Sequence, residues 1–156
     1  MRVTDKYVFF WGSEFSNFYP AEFVIDGQKF NCSEQYFMWS KAKFFGDEEI
    51  AKQILEATEP IIQKKLGRKV ANFDADKWME VCKGVMYQAV EAKFTQNEDL
   101  KNIILKYKGK TFVEASPYDG IWGVKLAEDD PRIDDEKNWN GLNLLGQVLT
   151  ELSEVI

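Results

Sequence analysis

The apolar positions of this chain recur with two periods, and the places where the period changes mark its elements. Tyr7–Trp11 is a short, almost wholly apolar run that predicts a strand. FVIDGQKF (Phe23–Phe30) gives two more short runs around Asp26-Gly27, the residue pair that favours a two-residue hairpin turn. Beyond Asn31 the period lengthens. An aromatic helix is expected from Asn31–Ser33 to about Phe45, then helices over Asp47–Ala57 and Pro60–Leu66, with Pro60 suited to a first turn. The clearest amphipathic helix spans Asp76–Phe94, with an apolar stripe of Trp78, Val81, Cys82, Val85, Ala89 and Ala92. Asn97 is placed to cap a helix running toward Tyr107. TFVEA and IWGVKL then predict a pair of strands joined by the turn SPYDG, and Leu142, Leu145, Leu149 and Leu152 predict a C-terminal helix. Short strands among several helices make an α+β class, and 156 residues suit one domain over 1–156.

The aromatic helix carries an anomaly. Glu34 and Lys41 lie two helical turns apart, so at about 100° per residue they fall within about 20° of one another on one face. Met38 and Phe45 share that stripe. Charge on so apolar a helix is costly unless a partner or ligand meets it. Glu34 also has a structural reading: with Asn31 as N-cap it stands at the third helical position and closes a capping box, which spacing alone favours. For Lys41 the structural reading is an amine snorkelling to the surface, and the chemical one is a nucleophile of lowered pKa. In the TFVEA strand Glu114 shares a face with Phe112, so either that face meets solvent or Glu114 points into a cleft. Asp119 precedes Gly120 in a turn, where turn formation is its ordinary task. Trp11, beside Gly12, and Trp122 offer flat rings to a base or sugar, although a tryptophan is more often core. The polar loops at Ser16-Asn17 and Trp139–Asn143 offer hydrogen bonds or plain turn chemistry.

Composition narrows the chemistry. There is no histidine, which removes the commonest general base, the usual activator of serine or cysteine and the usual zinc ligand together. Any acid–base work falls to Asp, Glu, Lys, Tyr or water, and no metal site or other cofactor is expected. A net charge of -6 argues against general coating of nucleic acid. The local run Lys64, Lys65, Arg68 and Lys69 is suited to a phosphate or, more plainly, to a solvated helix face. Cys32 and Cys82 are far apart and lack metal-type spacing, as expected of reduced thiols in a cytoplasmic protein. No leader or membrane span is expected, and no obligatory protein partner.

Taken together, FSNFYP (Phe15–Pro20), SEQYFMWSKAKFF (Ser33–Phe45), LGRKVANFDADKW (Leu66–Trp78), AKFTQN (Ala92–Asn97), EASPYDGIWGV (Glu114–Val124) and WNGLNLLG (Trp139–Gly146) resemble the ordered motifs of the YbiA/NADAR family. Six motifs in order over almost the whole chain make a specific resemblance. It implies the YbiA-like fold and cleavage of N-glycosidic bonds to ribose without a metal. In one branch the substrate is ADP-ribosylated guanine in nucleic acid, and in another a phosphoribosyl-amino-pyrimidine intermediate of riboflavin synthesis. A non-catalytic module that holds ADP-ribose or a nucleotide is the third reading. The resemblance makes Glu34 and Lys41 the active-site pair and Glu114 and Asp119 the family's second set of carboxylates. It places Asn17, Trp78, Trp122 and Asn143 on motif positions of the pocket. Trp11, Ser16, Phe18, Arg68, Lys93 and Gly123 complete the expected substrate-binding set. The chain departs from the family pattern at Gly120, where arginine is frequent, and at Lys125, where glycine is usual. Further departures are the displaced glycine of Tyr107-Lys108-Gly109 and a C-terminus, ELSEVI, without the usual basic residue. These touch substrate identity more than reaction type.

Overall fold

The computed structural model describes residues 1–156, which divide into two compact units, Met1–Ser16 with Asp99–Ile156, and Asn17–Glu98. The first unit is built on a three-stranded sheet of β1 (Arg2–Val3), β2 (Tyr7–Phe10) and β5 (Thr111–Glu114), in that order. β1 runs antiparallel to β2, and β2 runs parallel to β5 with Tyr7 opposite Thr111 and Phe10 opposite Glu114. All four side chains of β2 are buried, which explains why the run is apolar without alternation. Tyr7, Phe9, Val113, Ala115, Val124, Leu126 and Ile133 form one core, and Phe10, Phe15 and Phe112 stack on the other side. Each fully buried Val, Leu, Ile or Phe among them contributes about 1.5–3 kcal/mol.

The free edge of β5 shows why one expected element is missing. Ile121–Leu126 was expected to pair with it as a strand; instead the segment is a succession of turns. Helix α6 (Leu144–Val155) occupies the edge with side chains. The Phe112 N–H donates to Thr150 Oγ1 at 2.9 Å, the Glu114 N–H donates to Asn143 Oδ1 at 3.0 Å, and Asn143 Nδ2 donates to the Phe112 carbonyl at 3.0 Å. The Glu114 carbonyl accepts from the Val124 N–H at 3.0 Å, so the segment meets this edge at that bond and side chains take the groups at Phe112 and the Glu114 N–H. Lys125 adds a second obstacle, because its φ of 59° lies in the left-handed region. The final helix lies where expected, with Leu145, Leu149 and Leu152 buried, while Leu142 stays exposed before it. Between β5's predecessor α5 (Glu98–Lys106) and β5 itself, Gly109 with φ 95° makes the turn.

The second unit opens with the hairpin of β3 (Phe23–Ile25) and β4 (Gln28–Phe30), whose turn residues Asp26 and Gly27 have φ of 49° and 80°. Positive φ at both central positions is the requirement of that turn, and Asp-Gly meets it. Four helices follow: α1 (Ser33–Phe44), α2 (Glu48–Glu56), α3 (Pro60–Gly67) and α4 (Ala75–Thr95). Asp47 caps α2 through the Ile50 N–H, Pro60 opens α3, and Asp74 caps α4. The buried stripe of α4 is rotated from the expected one. It runs through Trp78, Cys82, Met86, Ala89 and Val90, leaving Val81 and Val85 only partly covered. Asn97 stands directly before α5, and its amide donates to the Glu22 and Lys93 carbonyls, fastening the end of α4 to the segment that leads into β3. Gly67 is required where α3 meets α1, because a Cβ there would overlap the thioether of Met38.

Candidate active site

In the second unit, α1 positions the pair that the sequence singled out. The helix begins at Ser33, within the expected range, with Cys32 rather than Asn31 as N-cap, and no side chain satisfies that cap. Gln35, not Glu34, reaches back: its Oε1 accepts from the Asn31 N–H at 2.8 Å. Its amide donates to the Ile54, Leu55 and Ala57 carbonyls, tying α1 to the end of α2. Gln63 extends the tie. It accepts from the Cys32 thiol at 3.1 Å and donates to Asn31 Oδ1 and the Ala57 carbonyl. The expected capping role of Glu34 is therefore corrected: the chain gives that task to its neighbour.

Glu34 is 6% exposed and is held by its own backbone, whose N–H donates to the Asn17 carbonyl at 3.1 Å. Beside it stand two buried polar atoms without a hydrogen-bond partner, Asn17 Oδ1 and Ser33 Oγ. Buried polar atoms left so cost about 1–3 kcal/mol each, and a polar ligand relieves that cost. Lys41 is half-buried, with Nζ 4.4 Å from the centre of the Phe73 ring. Burial lowers its pKa from 10.5, Glu34 acts in the opposite sense, and Arg68 adds to the lowering. Glu34 and Arg68 thus both act on the charge of Lys41, in opposite senses.

The other expected residues of this unit divide. Trp78 is buried against Phe37, Phe44 and Phe45, so its ring belongs to the core under α1. Lys93 is 1% exposed, its ammonium near the rings of Tyr19 and Phe94. Phe18 is at the surface, with Lys64 Nζ 5.8 Å from its ring centre.

In the first unit, Trp11 and Glu114 lie at the carboxyl ends of the parallel pair β2 and β5, where open sheets of this kind bind ligands. Glu114 is partly buried. Trp11 is exposed and meets Tyr118 with ring centres 5.9 Å apart. Asp119 has the turn role: Oδ1 accepts from the Ile121 and Trp122 N–H groups at 2.8 and 2.9 Å. Gly123 packs too closely for a side chain, since a Cβ would stand 2.9 Å from the Glu114 carbonyl oxygen. Both amide atoms of Asn143 are engaged with β5, so it is a scaffold residue despite its motif position. Ser16 makes a turn through its N–H to the Ser13 carbonyl. A cavity of about 390 Å³ in this unit is lined by Trp139, Asn143, Gln147 and Thr150 among others, and none of the four catalytic candidates reaches it.

The sequence pattern of the NADAR domain matches residues 9–156. The chain belongs to the NADAR family. Among its NADAR relatives, protein irg-1 of Caenorhabditis elegans is 43% identical over 97% of this chain and 80% of that protein. An N-glycosidase of Acanthamoeba polyphaga mimivirus is 38% identical over 97% of this chain and 96% of its own length. The NMR structure of Escherichia coli YbiA superposes with a TM-score of 0.78 at 28% identity, covering 98% of this chain and 86% of that one. The α+β fold of the NADAR family is thereby shown. No helix is long and apolar enough to cross a membrane.

The two thiols give a check on the packing around α1. Burial pushes Cys32 up to about 11 and also raises Cys82. Both should resist iodoacetamide at pH 8 in the native protein and react fully in denaturant, read by mass spectrometry. Rapid native labelling of Cys32 would mean that the α1 N-terminus is open.

Proposed function

We propose that this NADAR protein is an N-glycosidase that removes ADP-ribose from ADP-ribosylated guanine in nucleic acid. The observation that carries the reading is Lys41, a half-buried amine of lowered pKa on the same helical stripe as the buried carboxylate Glu34. N-glycosidase relatives support the reaction class. A neutral Lys41 amine attacks the anomeric carbon, and the base departs with the electrons of the C1–N bond. Glu34 accepts the proton released from the attacking nitrogen and passes it to the leaving nitrogen. The C1–O4′ bond of the resulting glycosylamine then breaks as the Lys41 nitrogen lone pair forms the C=N bond; O4′ takes the electrons of the broken bond and a proton, and the ring-opened sugar stays as a protonated imine on Lys41. Water then adds to the imine carbon and expels the amine, leaving free ADP-ribose. Asn17 Oδ1 accepts from a sugar hydroxyl, and Ser33 Oγ donates to or accepts from another.

The test is incubation with an oligonucleotide carrying ADP-ribosyl guanine, in parallel with a phosphoribosyl-amino-pyrimidine. Free ADP-ribose should form from the first, and turnover should persist in EDTA, since the chain has neither histidine nor paired thiols to hold zinc. Release of only the pyrimidine would transfer the protein to the riboflavin-type branch. Binding without release from either would make it a holding module.

A further inference from the structure

Residues Pro60–Phe73 carry Lys64, Lys65, Arg68 and Lys69 and no acidic residue, in a chain of net charge -6. The structure connects part of this run to Glu34 and Lys41 through successive neighbours. Lys64 Nζ lies 5.8 Å from the Phe18 ring centre, at the end of the segment that holds Glu34 through Asn17. Arg68 follows one helical turn after Lys64 and acts electrostatically on Lys41. Lys41 Nζ in turn lies over Phe73, which is 46% exposed. The close seat of Gly67 on Met38 fixes the C-terminal end of α3 against α1, and the left-handed turn at Asn72, φ 61°, precedes Phe73.

Rings at both ends of a row of cations suit one class of polymer. We propose that Phe18, Lys64, Arg68 and Phe73 form a strip that holds a single strand of nucleic acid beside Glu34 and Lys41. The two rings stack on bases, and Lys64 and Arg68 take phosphates. Exposed rings can stack only on unpaired bases, so the strip selects single strands over duplex. An acidic peptide would satisfy the cations but leave both rings without partners. The substrate assigned to the strip rests on the N-glycosidase reading, whereas the measurement below needs no turnover.

The probe is a fluorescent unmodified 12-mer of deoxythymidine, followed by anisotropy against salt. The native protein should bind it with Kd of about 1–100 μM at physiological salt, with a log–log salt slope of about -1.4 for two phosphate contacts. Lys64→Gln should weaken binding about fivefold and reduce the slope to about -0.7. Phe73→Ala should weaken it about tenfold with the slope unchanged. Lys77→Gln, an exposed cation on α4 outside the strip, should leave both unaltered. Thermal melts of the variants check that each is folded. Equal affinity for a duplex of the same length, equal competition by oligoglutamate, or indifference to both Lys64→Gln and Phe73→Ala would overturn the strip. Oligonucleotide binding without release of ADP-ribose would instead overturn the proposed reaction and leave the strip standing.

Discussion

Replacing Lys41 by alanine or arginine is expected to lower turnover by more than about a thousandfold, because either change removes the nucleophile that carries the sugar. Arginine is the sharper test. It keeps the positive charge near Glu34 and the contact with the Phe73 ring, but a guanidinium stays protonated and forms no imine. The pH profile should follow the same group. Turnover rises as Lys41 loses its proton, with the inflection below the ordinary 10.5 because burial opposes the charged form. Stability moves in the same direction. A folded pKa below the unfolded one means the unfolded chain binds the proton more tightly. The burial penalty of Lys41 is therefore full below its lowered native value and gone above 10.5. Against Lys41→Met, denaturant midpoints across that window should show the native protein gaining stability as pH rises. A turnover profile unchanged in Lys41→Arg would leave Lys41 only an electrostatic role.

Glu34→Gln should reduce turnover by about a hundred- to ten-thousandfold, the usual worth of a proton-transfer group, and leave the fold intact. The neighbouring residue supplies the contrast. Gln35 makes the back-bond to the Asn31 N–H and three contacts to carbonyls at the end of α2. Gln35→Ala should cost about 1–3 kcal/mol of stability by leaving those groups unpartnered. Its effect on rate should be small. Parallel melts and rate measurements on the two variants separate chemistry from scaffolding. The reverse pattern, with Glu34→Gln unstable but active, would return Glu34 to a structural task.

How much of this was legible in the sequence depended on whether the cause was local. Asp26-Gly27, Pro60 and the capping Asp47 and Asp74 act over a few residues, and the elements they bound lie where they were expected. The spacing of Glu34 and Lys41 survived for the same reason, since a regular helix converts two turns into one face. The failures had distant causes. Ile121–Leu126 has strand-like residues, but Asn143 and Thr150 take the β5 groups at Phe112 and the Glu114 N–H, and Lys125 turns the backbone aside. The parallel pairing of β2 with β5 joins segments separated by most of the chain, and no local pattern announces it. Gln35 was overlooked because a glutamate three positions after a capping residue is the better-known signature. Gln35 accepts from the Asn31 N–H four positions back, one residue before the N-cap Cys32, so it does not follow that spacing. Phe73 and Lys64 carried little signal: one exposed ring in a loop and one lysine in a basic run gain meaning only from their places beside Lys41 and Phe18.

The central claim is that Lys41 carries the sugar, and borohydride trapping tests it most directly. Borohydride added during turnover of an ADP-ribosylated guanine oligonucleotide should reduce the imine to a stable secondary amine. Peptide mapping by mass spectrometry should then find the ADP-ribosyl mass on Lys41 and not on Lys43, which forms an ion pair with Glu48 at 2.8 Å elsewhere on the helix. Continued release of ADP-ribose under borohydride, with no adduct on Lys41, would contradict the account.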